Sequence, residues 1–267
     1  MKISCLMITT NIPSRLHLLD NNINSIEKVN QGFLDKKVLS IDMFKEHPRN
    51  MKVFQRYKDL GWDLVTGDST GHRGMLNNIL RGLKNITPTD YIFYVEDDII
   101  IDKLPGRESL DCFNEEKIGF VCFSSRIAVL QGPSATTIPQ KKKDFINDPK
   151  NYKRFGKDLF LIKQDFLRDN YYLNFPSAII KDDLFRSLLD YASKNCHGRG
   201  IEIALTKSWF DLKLNDKYRV AIYVKPDTLE HLPMTLQEFY YMANMQFWSN
   251  NEKMRHPSIN DRRNTIL

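Results

Sequence analysis

Apolar and polar positions in the first hundred residues alternate between two rhythms. Short, nearly continuous apolar runs at Lys2–Thr9, Lys37–Met43 and Trp62–Thr66 predict strands buried on both faces. Between them the apolar positions recur every three to four residues. Leu16, Leu19, Ile23 and Ile26 mark a helix through Val29, with Ser14 as its expected N-cap. Met51–Leu60 predicts a short second helix, and Met75, Ile79, Leu80 and Leu83 give the face of a third. Gly67 to Gly74 is the loop that opens it. Repeated βα units of this size predict an α/β domain with a mostly parallel central sheet flanked by helices. In such sheets ligands bind beyond the carboxyl ends of the strands.

The run from Asp90 to Ile101 breaks this rhythm, because Glu96, Asp97 and Asp98 stand inside an otherwise apolar strand. Alternation along a strand sends Glu96 and Asp98 to one side and Asp97 to the other. Adjacent carboxylates repel and resist burial. Two arrangements relieve them: a divalent cation, since Mg²⁺ and Mn²⁺ take carboxylate oxygens, or a strand end where the acids meet water.

The second half is less regular. Ile118–Ser124, Asp158–Ile162, Ala178–Ile180 and Tyr218–Val224 read as strands, and Asp182–Ser193 and Ile201–Leu212 as helices. Residues 131–158 read as loop, with the basic run Lys141 to Lys143, and Lys225–His231 as another. Leu232–Trp248 predicts a last helix before a polar tail. The expected organisation is one domain: a βα half over 1–102 ending in the acidic run, a less regular half over 103–231, and a C-terminal helix and tail over 232–267.

Composition narrows the classes. A hydrophobic share of 42%, with 16 Phe and 11 Tyr in 267 residues, excludes a disordered chain. No apolar run reaches membrane-spanning length, and the N-terminus lacks the pattern of a signal peptide. The scattered Cys5, Cys112, Cys122 and Cys196 have no zinc-type spacing and suit free thiols in a reducing cytosol. A formal charge of +6 favours anionic partners: a nucleotide, an acidic membrane surface or nucleic acid.

The order of motifs resembles the metal-dependent glycosyltransferases of the GT-A fold, closest in style to the inverting family 2 group, over about residues 2 to 231. The motifs are a βα-rich half, an acidic strand end, Gly200-Ile201-Glu202-Ile203-Ala204-Leu205 at a helix start, and a His after a later strand. The resemblance implies transfer of a sugar from a nucleotide diphosphate-sugar, UDP by family habit, to a hydroxyl acceptor such as a glycan. It gives Thr9, Thr10, Asn11 and Arg15 to the base and ribose and Asp42 to the base. Gly71, His72, Arg73 and Asn77 fall near the phosphates. Glu96-Asp97-Asp98 fills the Asp-x-Asp-like motif, with Glu replacing its first Asp. Asp98 then goes to Mn²⁺ or Mg²⁺, Glu96 to the metal or the donor ribose, and Asp97 to the donor. His231 completes the metal shell. Glu202 is the catalytic base, at the position where relatives carry Asp. A nucleotide diphosphate leaving group needs its developing charge neutralised, and the attacking hydroxyl needs a proton acceptor.

Other readings stand beside this one. A nucleotidyltransferase also uses a Rossmann-like sheet, but Thr9 to Arg15 lacks its Gly-rich basic signature. A non-catalytic nucleic-acid-binding protein would want a clustered basic helix, and none is present. An acceptor that is itself nucleic acid, or one at a membrane reached through Leu232–Trp248, stays open within the cytoplasmic setting. Trp209, Phe210, Tyr240 and Trp248 are aromatic candidates for sugar stacking, although aromatics at helical spacing are more often core.

Overall fold

In a computed structural model of the chain, the described residues are 1–45, 47, 51–69, 74–101, 103–104, 113–114, 117–123, 152–155, 159–163, 177–195, 201–223 and 230–231. The first half forms β1 (Ile3–Thr10), α1 (Leu16–Asn30), β2 (Lys36–Met43), α2 (Lys52–Asp59), β3 (Trp62–Asp68), α3 (Gly74–Lys84), β4 (Tyr91–Glu96) and β5 (Ile99–Ile100). The second half adds β6 (Ile118–Phe123), β7 (Tyr152–Phe155), β8 (Leu159–Ile162), β9 (Ser177–Lys181), α4 (Asp182–Asn195), α5 (Ile201–Asp211), β10 (Arg219–Tyr223) and β11 (Glu230–His231).

Among the described residues, nine strands make one sheet in the order β3-β2-β1-β4-β9-β6-β10-β8-β7, and β5 pairs with β11. β1 to β4 run parallel, and β9 and β8 run against the other seven. The mostly parallel sheet expected from the βα rhythm is therefore present. Its strand period of two builds two cores. Leu6 and Ile8 of β1, with Ile92 and Tyr94 of β4, face the layer of α3, α4 and α5, where Ile79, Leu83, Leu188 and Trp209 pack. Ile3, Cys5 and Met7, with Tyr91, Phe93 and Val95, face the layer of α1 and α2, against Leu19, Ile23, Phe54 and Tyr57. Both faces covered is the reason these strands read as continuous apolar runs. Gly82 lets α3 lie close on the sheet: a β-carbon there would meet a Leu6 methyl and stand 3.1 Å from Ser40 Cβ.

Four local expectations change. The helix at Leu16 is preceded by a 3₁₀ turn over Pro13–Arg15, so Ser14 lies within that turn and does not cap α1. Tyr152–Phe155, inside the expected loop 131–158, is the outer strand β7. Glu230 and His231, expected in a loop, form β11. The strand expected from Asp90 to Ile101 splits into β4 and β5 around a turn at Asp97 and Asp98. Leu232–Trp248 and the Lys141 to Lys143 run lie outside the described residues.

Candidate active site

The carboxyl ends of β1, β2 and β4 lie side by side, and the buried Thr9, Asn11, Arg15, Asp42, Asp97 and Asp98 gather there. Because Asp97 and Asp98 occupy a turn, strand alternation no longer separates them. Arg15 reaches both: it donates through Nη2 to Asp97 Oδ1, through Nε to Asp97 Oδ2 at 3.3 Å, and stands 3.6 Å from Asp98 Oδ2. Thr9 donates its hydroxyl to Asp97 Oδ2 at 2.6 Å. Arg15 is 8% exposed, Asp97 2% and Asp98 4%, so this is a buried charge cluster. Burial pushes the Asp97 carboxyl up from its ordinary value, while Arg15 pulls it back. The Arg15 guanidinium is held charged by Asp97 and Asp98. A fork-shaped guanidinium across a carboxylate is the geometry that keeps such a pair ionised.

Helix α1 fixes the rest of the turn. Asn22 donates to the Glu96 carbonyl, and Ser25 Oγ accepts from the Ile101 amide at 3.0 Å. Neither residue is among those the sequence singles out. The signal was present: Asn22 interrupts the apolar stripe of α1 and is fully buried. Glu96 itself is half-buried, and Tyr94 donates its hydroxyl to Glu96 Oε1 at 3.4 Å.

A second buried acid ends β2. Asp42 accepts from Arg81 Nη2 at 2.8 Å, and burial raises its carboxyl to about 6 against the opposing pull of Arg81. Gly74 opens α3 against the same carboxylate, where a β-carbon would stand 2.9 Å from Oδ2. Arg81 also donates to the carbonyls of Ile41 at 3.0 Å and Gly67 at 3.3 Å. The basic residue at Asp42 is thus Arg81, two turns into α3. Gly71, His72 and Arg73, expected near the phosphates, lie outside the described residues. Asn77 is half-buried, whereas its neighbour Asn78 is buried and ties the strands together. Asn78 Nδ2 donates to the Thr9 carbonyl at 3.1 Å, and Ser40 donates to Asn78 Oδ1 at 2.6 Å. Asn11 bridges β1 to the chain after β2, donating to the Phe44 carbonyl at 3.0 Å and accepting from the Phe44 amide at 2.7 Å. Thr10 Oγ1 accepts from the Ile12 amide at 3.4 Å.

The structure brings Thr9, Arg15, Asp97 and Asp98 into one cluster, and Asp42 lies two strands over. β11 pairs antiparallel with β5 so that His231 stands opposite Ile99, the residue after Asp98. Glu202 occupies the first turn of α5. The side chains of His231 and Glu202 lie outside the described residues. Among the described residues, no three His, Cys, Asp or Glu side chains form a metal-holding group. Trp209, a stacking candidate, is fully buried in the core beside Leu205.

Solved structures share this architecture. Staphylococcus aureus TarS, residues 1–349, in complex with UDP, matches 96% of this chain over 67% of its own length, at 13% identity and a TM-score of 0.51. The chain has the GT-A fold. The same TarS segment in complex with UDP-GlcNAc matches at a TM-score of 0.50 and 13% identity, over 96% of this chain and 68% of its own. Glucosyl-3-phosphoglycerate synthase from Mycobacterium tuberculosis, in complex with Mn²⁺, UDP and glucosyl-3-phosphoglycerate, matches at 0.48 and 15% identity, over 93% and 78%. No protein-family model and no curated protein sequence matches the chain. A GT-A scaffold fixes where the strand ends and helix starts lie, and the chemistry rests on the side chains placed there.

Proposed function

We propose that this protein is a glycosyltransferase that moves a sugar from a nucleotide diphosphate-sugar, a UDP-sugar, to a hydroxyl of a glycan acceptor with inversion. The observation that carries the reading is the buried Asp97–Asp98 turn, clamped by Arg15 at the carboxyl edge of a GT-A sheet. Support comes from likeness to TarS held with UDP and with UDP-GlcNAc.

The reading includes a divalent cation, Mn²⁺ or Mg²⁺. The residues suit one: Asp98 and Glu96 offer hard oxygen donors, and the β5–β11 register sets the His231 backbone across from the residue after Asp98. When bound, such an ion neutralises charge on the diphosphate. Asp97 serves a different task in this scheme, since its oxygens already accept from Arg15 and Thr9. It locks the turn so that Asp98 is presented in one position. The ends of β1 and β2, with Thr9, Thr10, Asn11, Arg15 and Asp42, receive the base and ribose, and the start of α3 with Gly71 to Arg73 and Asn77 lies toward the phosphates. Glu202 accepts the proton of the acceptor hydroxyl as that oxygen bonds to the anomeric carbon. The bond from that carbon to the phosphate oxygen breaks, and its electrons leave with the diphosphate.

Thermal stability with UDP, GDP, dTDP and CDP, each with and without Mn²⁺, tests this. A ligand bound to the folded state alone raises the melting temperature by mass action. The expected result is stabilisation by UDP that requires Mn²⁺ and disappears in Asp98→Ala. No response to any nucleoside diphosphate overturns the reading.

A further inference from the structure

The amino edge of the sheet, at the far end from the acidic turn, carries a cavity. Tyr91 begins β4, Lys181 ends the antiparallel β9, Ile118 begins β6, and Tyr218 precedes β10, so all four stand at that edge. The cavity between them has a volume of about 330 Å³, which is small-molecule size. From Tyr91 to Glu96 the strand carries the chain roughly 17 Å, at about 3.3–3.4 Å per residue, so the two sites do not share a wall.

Its lining pairs an aromatic floor with a cationic rim. Tyr91 and Phe113, both buried, meet edge-on with ring centroids 5.9 Å apart. Lys117, Lys181 and Lys217 share the lining with them. Lys181 Nζ lies 5.5 Å from the centre of the Tyr218 ring. Among the described residues none of these three lysines has a carboxylate partner, while Lys36, Lys37, Lys194 and Lys207 each have one. Among the described residues Asp216 is the one acid in the lining, and its Oδ1 accepts from Asn215 Nδ2 at 3.1 Å. Three like charges around one concavity repel one another, and an anion seated between them removes the cost. The fold places Lys117 on this rim through a left-handed backbone, φ 53°, which its amide steadies by donating to the Asn114 carbonyl at 3.2 Å.

We propose that this cavity is a binding site for a phosphate-bearing anion, separate from the donor site. The phosphate oxygens accept from Lys117, Lys181 and Lys217, and the organic part lies on the aromatic floor. The three lysines are exposed or half-buried, so neutral replacements of similar length leave the core intact.

Titration calorimetry of the full chain with inorganic pyrophosphate, in EDTA, tests the proposal. The expected result is one bound pyrophosphate per chain, weakened at least tenfold in the Lys117→Gln/Lys181→Gln/Lys217→Gln variant and retained in Asp98→Asn. A single Lys217→Gln variant, expected to lose about threefold, guards against a misfolded triple variant, and the melting temperature of each is checked. No binding by the wild type, or undiminished binding by the triple variant, overturns the proposal. Linear polyphosphate separates the sources of the ligand. Tighter binding than pyrophosphate assigns the cavity to a polymer-borne phosphate, and equal binding assigns it to a free small anion. Because this titration uses neither UDP nor metal, its outcome is independent of the glycosyltransferase reading.

Discussion

Replacing Arg15 by Met removes the cation from a buried charge cluster. Asp97 and Asp98, 2% and 4% exposed, would then face each other with the Thr9 hydroxyl as the donor to Asp97. Breaking a buried ion pair by removing one partner costs about 3–5 kcal/mol, because the remaining charge stays buried without compensation. Against a total stability of about 5–15 kcal/mol, that is a large fraction. At about 2–4 °C per kcal/mol for a chain of this size class, the melting temperature should fall by about 6–20 °C. Asp97→Leu alone takes the bidentate partner from the guanidinium, and Asp98 at 3.6 Å stays beside it. The double variant Arg15→Met/Asp97→Leu removes both charges and keeps apolar volume, so it should lose less than the two single losses added together. The expected coupling is about 1–3 kcal/mol. Urea unfolding of all four proteins, followed by circular dichroism, reads it from the midpoints and slopes. A loss under about 1 kcal/mol for Arg15→Met, or strict additivity in the double variant, would refute the claim that Arg15 and Asp97 act as one unit.

Asp42 predicts a pH signature. Its folded carboxyl, at about 6, lies above the ordinary 3.8. The folded protein therefore holds the proton more tightly than the unfolded chain, and stability from this group is lost as pH rises from about 4 to about 6. Unfolding free energies measured across that window should move against the wild type relative to Asp42→Asn by about 2–3 kcal/mol. A constant difference would sink the assignment. Gly82→Ala forces a β-carbon against Leu6 and Ser40 and should cost about 1–3 kcal/mol in denaturant unfolding. Glu202→Gln should lower kcat for sugar transfer by about 10²–10⁴ with little change in the donor KM, and an unchanged kcat would remove Glu202 as the base.

The first half of the fold was legible because each strand is covered on both faces and each helix shows one apolar stripe. β1, β2 and β3 and their helices fall within about two residues of where periodicity puts them, the scatter normal for element ends. β7 was not legible, since Tyr152–Phe155 lies at the sheet's outer edge with two basic residues in four and no apolar run to announce it. The acidic triplet was legible as chemistry but not as geometry. Strand alternation predicts opposed side chains, and the charges instead end the strand so that one guanidinium serves both aspartates. Arg81 on Asp42 and Asn22 on Glu96 stayed hidden for another reason. Their partners are 39 and 74 residues away, and a local pattern carries no record of such pairings.

The insertion of β9 between β4 and β6 bears on how the chain is made. Tyr91 to Val95 finds its second neighbour in Ser177 to Lys181. Until residue 177 leaves the ribosome, β4 has a bare hydrogen-bonding edge. Translation at about 5–20 residues per second leaves that edge open for about 4–15 seconds after β5 is synthesised. Such an edge is a template for pairing with another nascent chain. Any truncation before β9 would leave it open for good, so products ending between 101 and 176 should be insoluble even though all of the first βα half is present.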